Sequence, residues 1–158
     1  MAMRLRPMTD PEYERWLASD LESYVQERMR SGEPEEVARH EADKQQQEYF
    51  PGGKPGPGHR LLTVESEGAP VGMVWVGPHP KRPEHAESVW LFNIEIDASA
   101  RGQGLGRAAL DLLERQLLTD GRSELSLNVF GHNTVARRLY KSAGYREAAI
   151  TMTKSLTS

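Results

Sequence analysis

The stretch Ile94-Glu95-Ile96-Asp97-Ala98-Ser99-Ala100-Arg101-Gly102-Gln103-Gly104-Leu105-Gly106-Arg107 constrains this chain more than any other. An apolar strand pattern runs into a glycine-rich turn, and the turn runs directly into a helix pattern. The first amides of a helix have no partner within it, and the helix dipole adds partial positive charge there. Glycines let a bulky anion approach those amides closely, and Arg101 and Arg107 flank the turn with full positive charges. A phosphate-bearing ligand is therefore expected at this junction.

The remainder of the chain narrows the setting. A length of 158 residues fits a single domain spanning 1–158 with a core of its own. A formal charge of −3 gives no global basic field, which argues against nucleic acid as a partner. The absence of cysteine removes disulfides, thiolate metal sites and a cysteine nucleophile together. His79 and His85 are too weak a pattern to imply a metal, so none is expected. The N-terminus lacks the apolar centre of a secretory signal and no run is long enough for a membrane span. No membrane partner is expected, and the reading is a cytoplasmic protein.

Hydrophobic periodicity orders the elements. Met3 to Met8 alternates as a short strand. Thr9-Asp10-Pro11-Glu12 then starts a helix on which Tyr13, Trp16, Leu17, Leu21, Tyr24, Val25 and Met29 recur at three- and four-residue steps. A second helix opens at Glu33-Pro34-Glu35-Glu36 and continues towards Phe50. It is poor in apolar residues and reads as a solvated surface helix, or as a lid whose Glu41, Asp43 and Glu48 favour a cationic substrate. After a Pro/Gly loop, Leu61–Glu65 and Val71–Val76 form a hairpin, and Ser88–Ile96 is a central strand. A buried helix follows the glycine turn, then a strand over Leu125–Val129. Asn133 caps a last helix closed by Gly144, and Tyr145–Lys154 is read as a terminal strand. The order β-α-α-β-β-β-α-β-α-β describes an α/β or α+β sheet with helices on both faces.

Spacing decides which anion the glycine turn would suit. A Gly-x-x-x-x-Gly-Lys-Ser/Thr nucleotide loop is absent, and the dinucleotide pattern Gly-x-Gly-x-x-Gly fails because Arg107 stands where its last glycine belongs. Arg101-x-x-Gly104-x-Gly106 instead resembles the pyrophosphate loop of the GNAT superfamily of N-acetyltransferases. Asn133-x-x-Ala136-x-x-Leu139-Tyr140-x-x-x-Gly144-Tyr145 resembles the superfamily's second signature, in the right order and on the right kind of element. The likeness is strong from about Trp90 to Lys154 and only architectural before it.

The resemblance implies a mixed, mostly antiparallel sheet of six to seven strands. It also implies acetyl-CoA as co-substrate and an enzyme acetylating a primary amine, in a small molecule or a peptide, by direct attack in a ternary complex. The amides of Gln103, Gly104, Leu105, Gly106 and Arg107 would cradle the pyrophosphate beside Arg101. The pantetheine arm would lie between splayed strands, with backbone at Ile94 and Ile96 polarising the thioester carbonyl. Asn133 would hydrogen-bond the arm, or serve only as a helix cap. Tyr140 would protonate the leaving thiolate, since a phenol with pKa of about 10 stays protonated at neutral pH.

The base is less direct. Leu91-Phe92-Asn93-Ile94 is similar to a run in ribosomal-protein N-terminal acetyltransferases, whose glutamate base falls here on Asn128, which cannot accept a proton. Glu95, alternating with Asn93 on one strand face, is the expected substitute. A salt bridge to Arg101 or Arg137, or proton loss through a water chain, are the other readings. A non-catalytic acyl-CoA-binding sensor or partner module is the alternative function, and a homodimer is compatible with the sequence.

Overall fold

The computed structural model describes residues 2–157. Its elements are β1 (Met3–Pro7), α1 (Asp10–Arg30), α2 (Glu35–Tyr49), β2 (Arg60–Ser66), β3 (Ala69–Pro78), β4 (Ser88–Ile96), α3 (Leu105–Thr119), β5 (Glu124–Leu127) and α4 (Thr134–Ser142). The strands form one sheet in the order β1-β2-β3-β4-β5. Every neighbouring pair is antiparallel except β4 and β5, which run parallel. This is the mixed, mostly antiparallel sheet expected, with five strands rather than six to seven.

The missing strand is the terminal one: residues 146–157 are exposed and adopt no regular structure. The segment alternates apolar and polar residues well enough to read as a strand, but within one chain no neighbour supplies its hydrogen bonds. β5 is also shorter than the reading Leu125–Val129, ending at Leu127.

Strand alternation sorts the sheet's side chains onto two faces. Leu62, Val64, Val74, Val76, Val89 and Leu91 meet Leu110, Leu113 and Leu117 of α3, forming the larger core. Leu139 and Tyr140 of α4, and Ala143 at its C-cap, pack on the same cluster. The other face carries Leu61, Met73 and Trp75, covered by Tyr13, Trp16 and Leu17 of α1 and by Phe50. α2 docks on α1 by small residues, Ala38 and Ala42 against Val25. It is otherwise mostly exposed, as a surface helix should be.

Local signals set the ends of these elements. Thr9 and Glu12 form a reciprocal capping box at the start of α1, each side chain accepting the other's backbone N–H. Glu67 and Gly68, both at positive φ, make the two-residue turn between β2 and β3.

The register of β3 and β4 contains one irregularity. Trp75 pairs with Asn93 and Val76 with Leu91, which leaves Phe92 without a partner. Phe92 is the extra residue of a β-bulge, and its ring stacks on Trp75 at 4.5 Å between centroids and 15° between planes. Beyond the bulge Ile94 faces the α3 side, while Asn93 and Glu95, opposite Trp75 and Met73, face α1.

Close approach of β3 and β4 depends on Gly72, where an added Cβ would run into the Glu95 carbonyl and the Ile96 side chain. Gly72→Ala is expected to destabilise the fold by about 1–3 kcal/mol, the usual cost of overpacking. Urea denaturation of the two proteins measures it, and an unchanged midpoint would show that β4 can yield at this point.

Candidate active site

β4 and β5 pair only from Ser88 opposite Glu124 to Leu91 opposite Leu127. From Phe92 to Ile96, β4 keeps β3 on one side and has no strand on the other. The expected splay is therefore present, and it begins at the bulge. Asp97 N donates to the Val71 carbonyl of β3 at 2.8 Å, so by alternation along the strand the backbone groups of Ile94 and Ile96 point to the other edge, into the gap.

The glycine turn closes one end of this gap. Gly102 and Gly104 adopt positive φ of 79° and 75°, a conformation costly for residues with a Cβ. α3 then starts at Leu105 with Gly104 at its cap, without a capping side chain and without an acid in its first turn. Among the described residues no acceptor meets the amides of Gln103 to Arg107. Five adjacent N–H groups at a helix N-terminus, with open space beside Gly102 and Gly104, fit a pyrophosphate.

The two sequence signatures meet here. A Cβ on Gly106 would lie 3.8 Å from both Ile96 of β4 and Leu139 of α4. Arg107 donates to Ser142 Oγ at 3.1 Å and pairs with Asp111 at 3.2 Å. Arg101 turns back instead: its Nε donates to the Ile96 carbonyl at 2.9 Å, and its guanidinium stands 3.6 Å from Glu95. Arg101 thus fixes the end of β4 in this structure as well as flanking the turn.

Asn133 caps α4, its Oδ1 accepting from Ala136 N at 3.1 Å. The capping role is real, and only the side-chain NH2 remains for another partner. Tyr140 packs with its ring 5.7 Å from Tyr145, and burial pushes its phenol up to about 12. Its hydroxyl bonds to no other described residue, whereas Tyr145 donates to Glu114 at 2.7 Å.

Glu95 is 57% exposed, and the ion pair with Arg101 is the salt bridge foreseen as its structural role. Arg137 is engaged elsewhere, with Glu147 at 3.5 Å. Asn128 lies just past the end of β5 and is exposed.

A carboxylate that sequence reasoning missed, Asp20, lies near enough to Glu95 to feel its charge. Asp20 lies on α1 three residues after Leu17 and four before Tyr24, on the stripe that faces the sheet. Burial, reinforced by the charge of Glu95, pushes its carboxyl up to about 6. An acid placed on an apolar stripe was the available signal. Further along α1, the Tyr24 ring lies 6.3 Å from that of Phe130, tilted by 48°, and Glu27 meets His132 at 2.8 Å. α1 therefore bridges the gap from the end of β4 to the loop before α4, and carries Asp20 over it.

The fold and these motifs recur in known proteins. Residues 12–145 match the model of the acetyltransferase (GNAT) family. An N-acetyltransferase of Bacillus subtilis (strain 168) that is itself uncharacterized, YycN, is 29% identical over 99% of this chain and 100% of its own. The crystal structure of YycN superposes with a TM-score of 0.88 at 28% identity, covering 99% of this chain and 100% of that one. A ribosomal-protein alanine N-acetyltransferase of Escherichia coli is 45% identical over 60 residues, 38% of this chain and 40% of the other. An aminoglycoside N-acetyltransferase in complex with CoA shares the fold, with a TM-score of 0.56 at 14% identity over 99% and 96% of the two chains. Among the described residues no helix is long and apolar enough to cross a membrane. With both signatures assembled around one gap, the chain belongs to the acetyltransferase (GNAT) family and is an N-acetyltransferase.

Proposed function

We propose that the chain transfers an acetyl group from acetyl-CoA to a primary amine of a cationic acceptor, by direct attack in a ternary complex. The observation that carries this reading is the convergence of unpaired α3 amides, the free edge of β4 and the Tyr140 helix around one gap, with two carboxylates on its α1 side. Acetyl-CoA, when bound, supplies the activated thioester. The chain's own groups do the rest.

The amides of Gln103 to Arg107 hold the pyrophosphate, and Arg107 adds charge at the rim. A backbone N–H on the open edge of β4 between Ile94 and Ile96 stabilises the carbonyl oxygen as negative charge develops there. Asn133 keeps its amide NH2 for the pantetheine arm. Asp20 and Glu95 attract the acceptor as an ammonium and take its proton, since an alkylammonium with pKa of about 10.4 cannot attack while charged. Nitrogen then bonds to the acetyl carbon, the carbon–sulfur bond breaks, and Tyr140 gives its hydroxyl proton to the sulfur. Burial raises the phenol, and the same dry setting makes the departing sulfur more basic, which keeps the two matched. With no cysteine in the chain, no thiol stands ready for an acyl-enzyme route.

The acceptor is read as cationic from Asp20 and Glu95, with Glu27 farther along the same helix. Two relatives in fold or sequence are named for amine acceptors, a ribosomal-protein alanine and an aminoglycoside, which agrees with an amine but does not choose between peptide and small molecule.

Thiol release from acetyl-CoA over a panel of amines tests the reading. Tyr140→Phe is expected to lower kcat by about 10²-fold or more while coenzyme A still binds. Tight coenzyme binding with no turnover on any amine, unaltered by the substitution, would leave a binding module instead.

The carboxylate pair gives a pH signature. The active form is deprotonated, so kcat/KM should fall as pH drops through about 6, the position of Asp20. Glu95→Gln should move that acid limb downward and lower turnover, because the neighbouring charge that helps raise Asp20 is gone. An acid limb that stays in place would make Glu95 purely structural.

Asp20→Asn should separate activity from stability. Folding raises this carboxyl from 3.8 to about 6, so the folded chain holds the proton more tightly than the unfolded one. The resulting penalty is full above pH 6 and fades as pH falls towards 4. The variant should therefore melt higher than the parent at pH 7.5, match it near pH 4, and be the poorer catalyst. A variant less stable at pH 7.5 would assign Asp20 to the fold.

A further inference from the structure

Aromatic rings gather on the α1 side of the gap, where the two carboxylates stand. Phe92 is the bulge residue at the point where β5 parts from β4. Trp90 alternates with Val89 and Leu91 of the larger core, so it points away from α3, with its ring 6.5 Å from that of Phe92. Tyr49, the last residue of α2, meets Phe92 edge-on at 4.8 Å. Burial, then the charges of Glu48 and of Tyr24, push the Tyr49 phenol up, which places Tyr24 of α1 close by. The row continues to Phe130, so it links β4, α2, α1 and the loop after β5. Asp20 lies one helical turn before Tyr24, and Glu95 follows Phe92 along β4.

These rings are not consumed by the core. Phe50 and Trp75 are buried beneath them, whereas Trp90, Phe92, Tyr49, Tyr24 and Phe130 each keep part of their surface exposed. Phe92 is held rigidly: it stacks on Trp75, whose indole N–H donates to His59 Nδ1 at 3.0 Å. Gly77 makes room for that imidazole, since an added Cβ would stand 2.6 Å from Nδ1. A fixed, half-exposed aromatic surface favours a flat apolar ligand, and ring faces beside carboxylates favour a cation. Polar partners along the row are few. The Tyr24 hydroxyl accepts from Arg28 at 2.9 Å, and Glu33 engages the rest of that guanidinium. A polyhydroxylated acceptor would leave its hydroxyls unpaired here. A peptide backbone would find no strand edge on β4, because β3 occupies one edge and the coenzyme's arm takes the other.

Building on the acetyl-transfer reading above, we propose that the acceptor is a small arylalkylamine. Its single ammonium sits between Asp20 and Glu95, and its ring lies against Phe92, flanked by Trp90 and Tyr49. Asp20 and Glu95 read the charge, and the aromatic row reads the body that carries it.

Thiol release from acetyl-CoA tests this with 2-phenylethylamine, ethylamine, spermidine and a peptide with an amino-terminal alanine. For 2-phenylethylamine, kcat/KM should exceed that for ethylamine by about 30-fold, the worth of taking a ring out of water. It should also exceed the values for spermidine and the peptide. Trp90→Leu and Phe92→Leu should each lower the ratio of the two monoamines about tenfold, chiefly through KM for the ring-bearing one. A merely structural loss would depress both amines alike and leave the ratio in place. Calorimetric titration of 2-phenylethylamine into the protein with coenzyme A present separates the site from the chemistry. Saturable binding that Trp90→Leu weakens, without turnover on any amine, would uphold the aromatic site and refute acetyl transfer. A preference for spermidine or the peptide, a ratio unchanged in both variants, or no saturable binding of 2-phenylethylamine would overturn the proposal.

Discussion

The parallel pairing of β4 with β5 is both necessary and incomplete, and the rest of the molecule is arranged around that fact. Four paired residues on each strand join β5 to an otherwise antiparallel sheet. After Leu91 the two strands part, and the hydrogen-bonding edge of β4 from Phe92 to Ile96 is left open in the middle of the fold. An open edge of this kind costs stability unless something polar satisfies it. A ligand with amide groups along an extended arm is such a partner. The bulge at Phe92 is the local device: it gives β4 its extra residue where the pairing ends, and the stack on Trp75 holds that residue in place.

Everything chemical is brought to the gap by elements whose own stability lies elsewhere. α3 is fixed by Leu110, Leu113 and Leu117 in the larger core, so its first turn can remain uncapped and face an anion. α4 is held through Leu139 and Ala143, which positions Tyr140 without a hydrogen bond to its hydroxyl. α1 is held by Tyr13, Trp16 and Leu17, and the same stripe carries Asp20 towards Glu95. The core therefore absorbs the cost of groups left unpaired or unfavourably charged at the site, as expected where function competes with stability.

The two faces of the sheet divide the labour. The α3 and α4 side supplies backbone donors and a phenol, suited to a phosphate and a leaving sulfur. The α1 side supplies carboxylates, suited to a cation. Both sets reach the same stretch of β4, because alternation past the bulge points Ile94 one way and Glu95 the other.

Much was legible along the chain because it depends on short-range chemistry. The capping of α1 by Thr9 and Glu12, the stop at Gly144, the glycine turn before α3 and the apolar stripes of each helix follow from residues within a few positions of one another. The uncapped start of α3 was legible for the same reason, since a helix start and its glycines are contiguous. Three things were decided only by tertiary structure. The bulge at Phe92 arises from the fit of two strands and a stacking partner 17 positions away, Trp75. The couple of Asp20 and Glu95 joins α1 to β4, and an acid on an amphipathic helix has no assigned neighbour until the helix docks. The strand predicted over Tyr145–Lys154 does not form within one chain, because alternation specifies a strand's faces but not its partner: the hydrogen bonds of a sheet are always made by another segment.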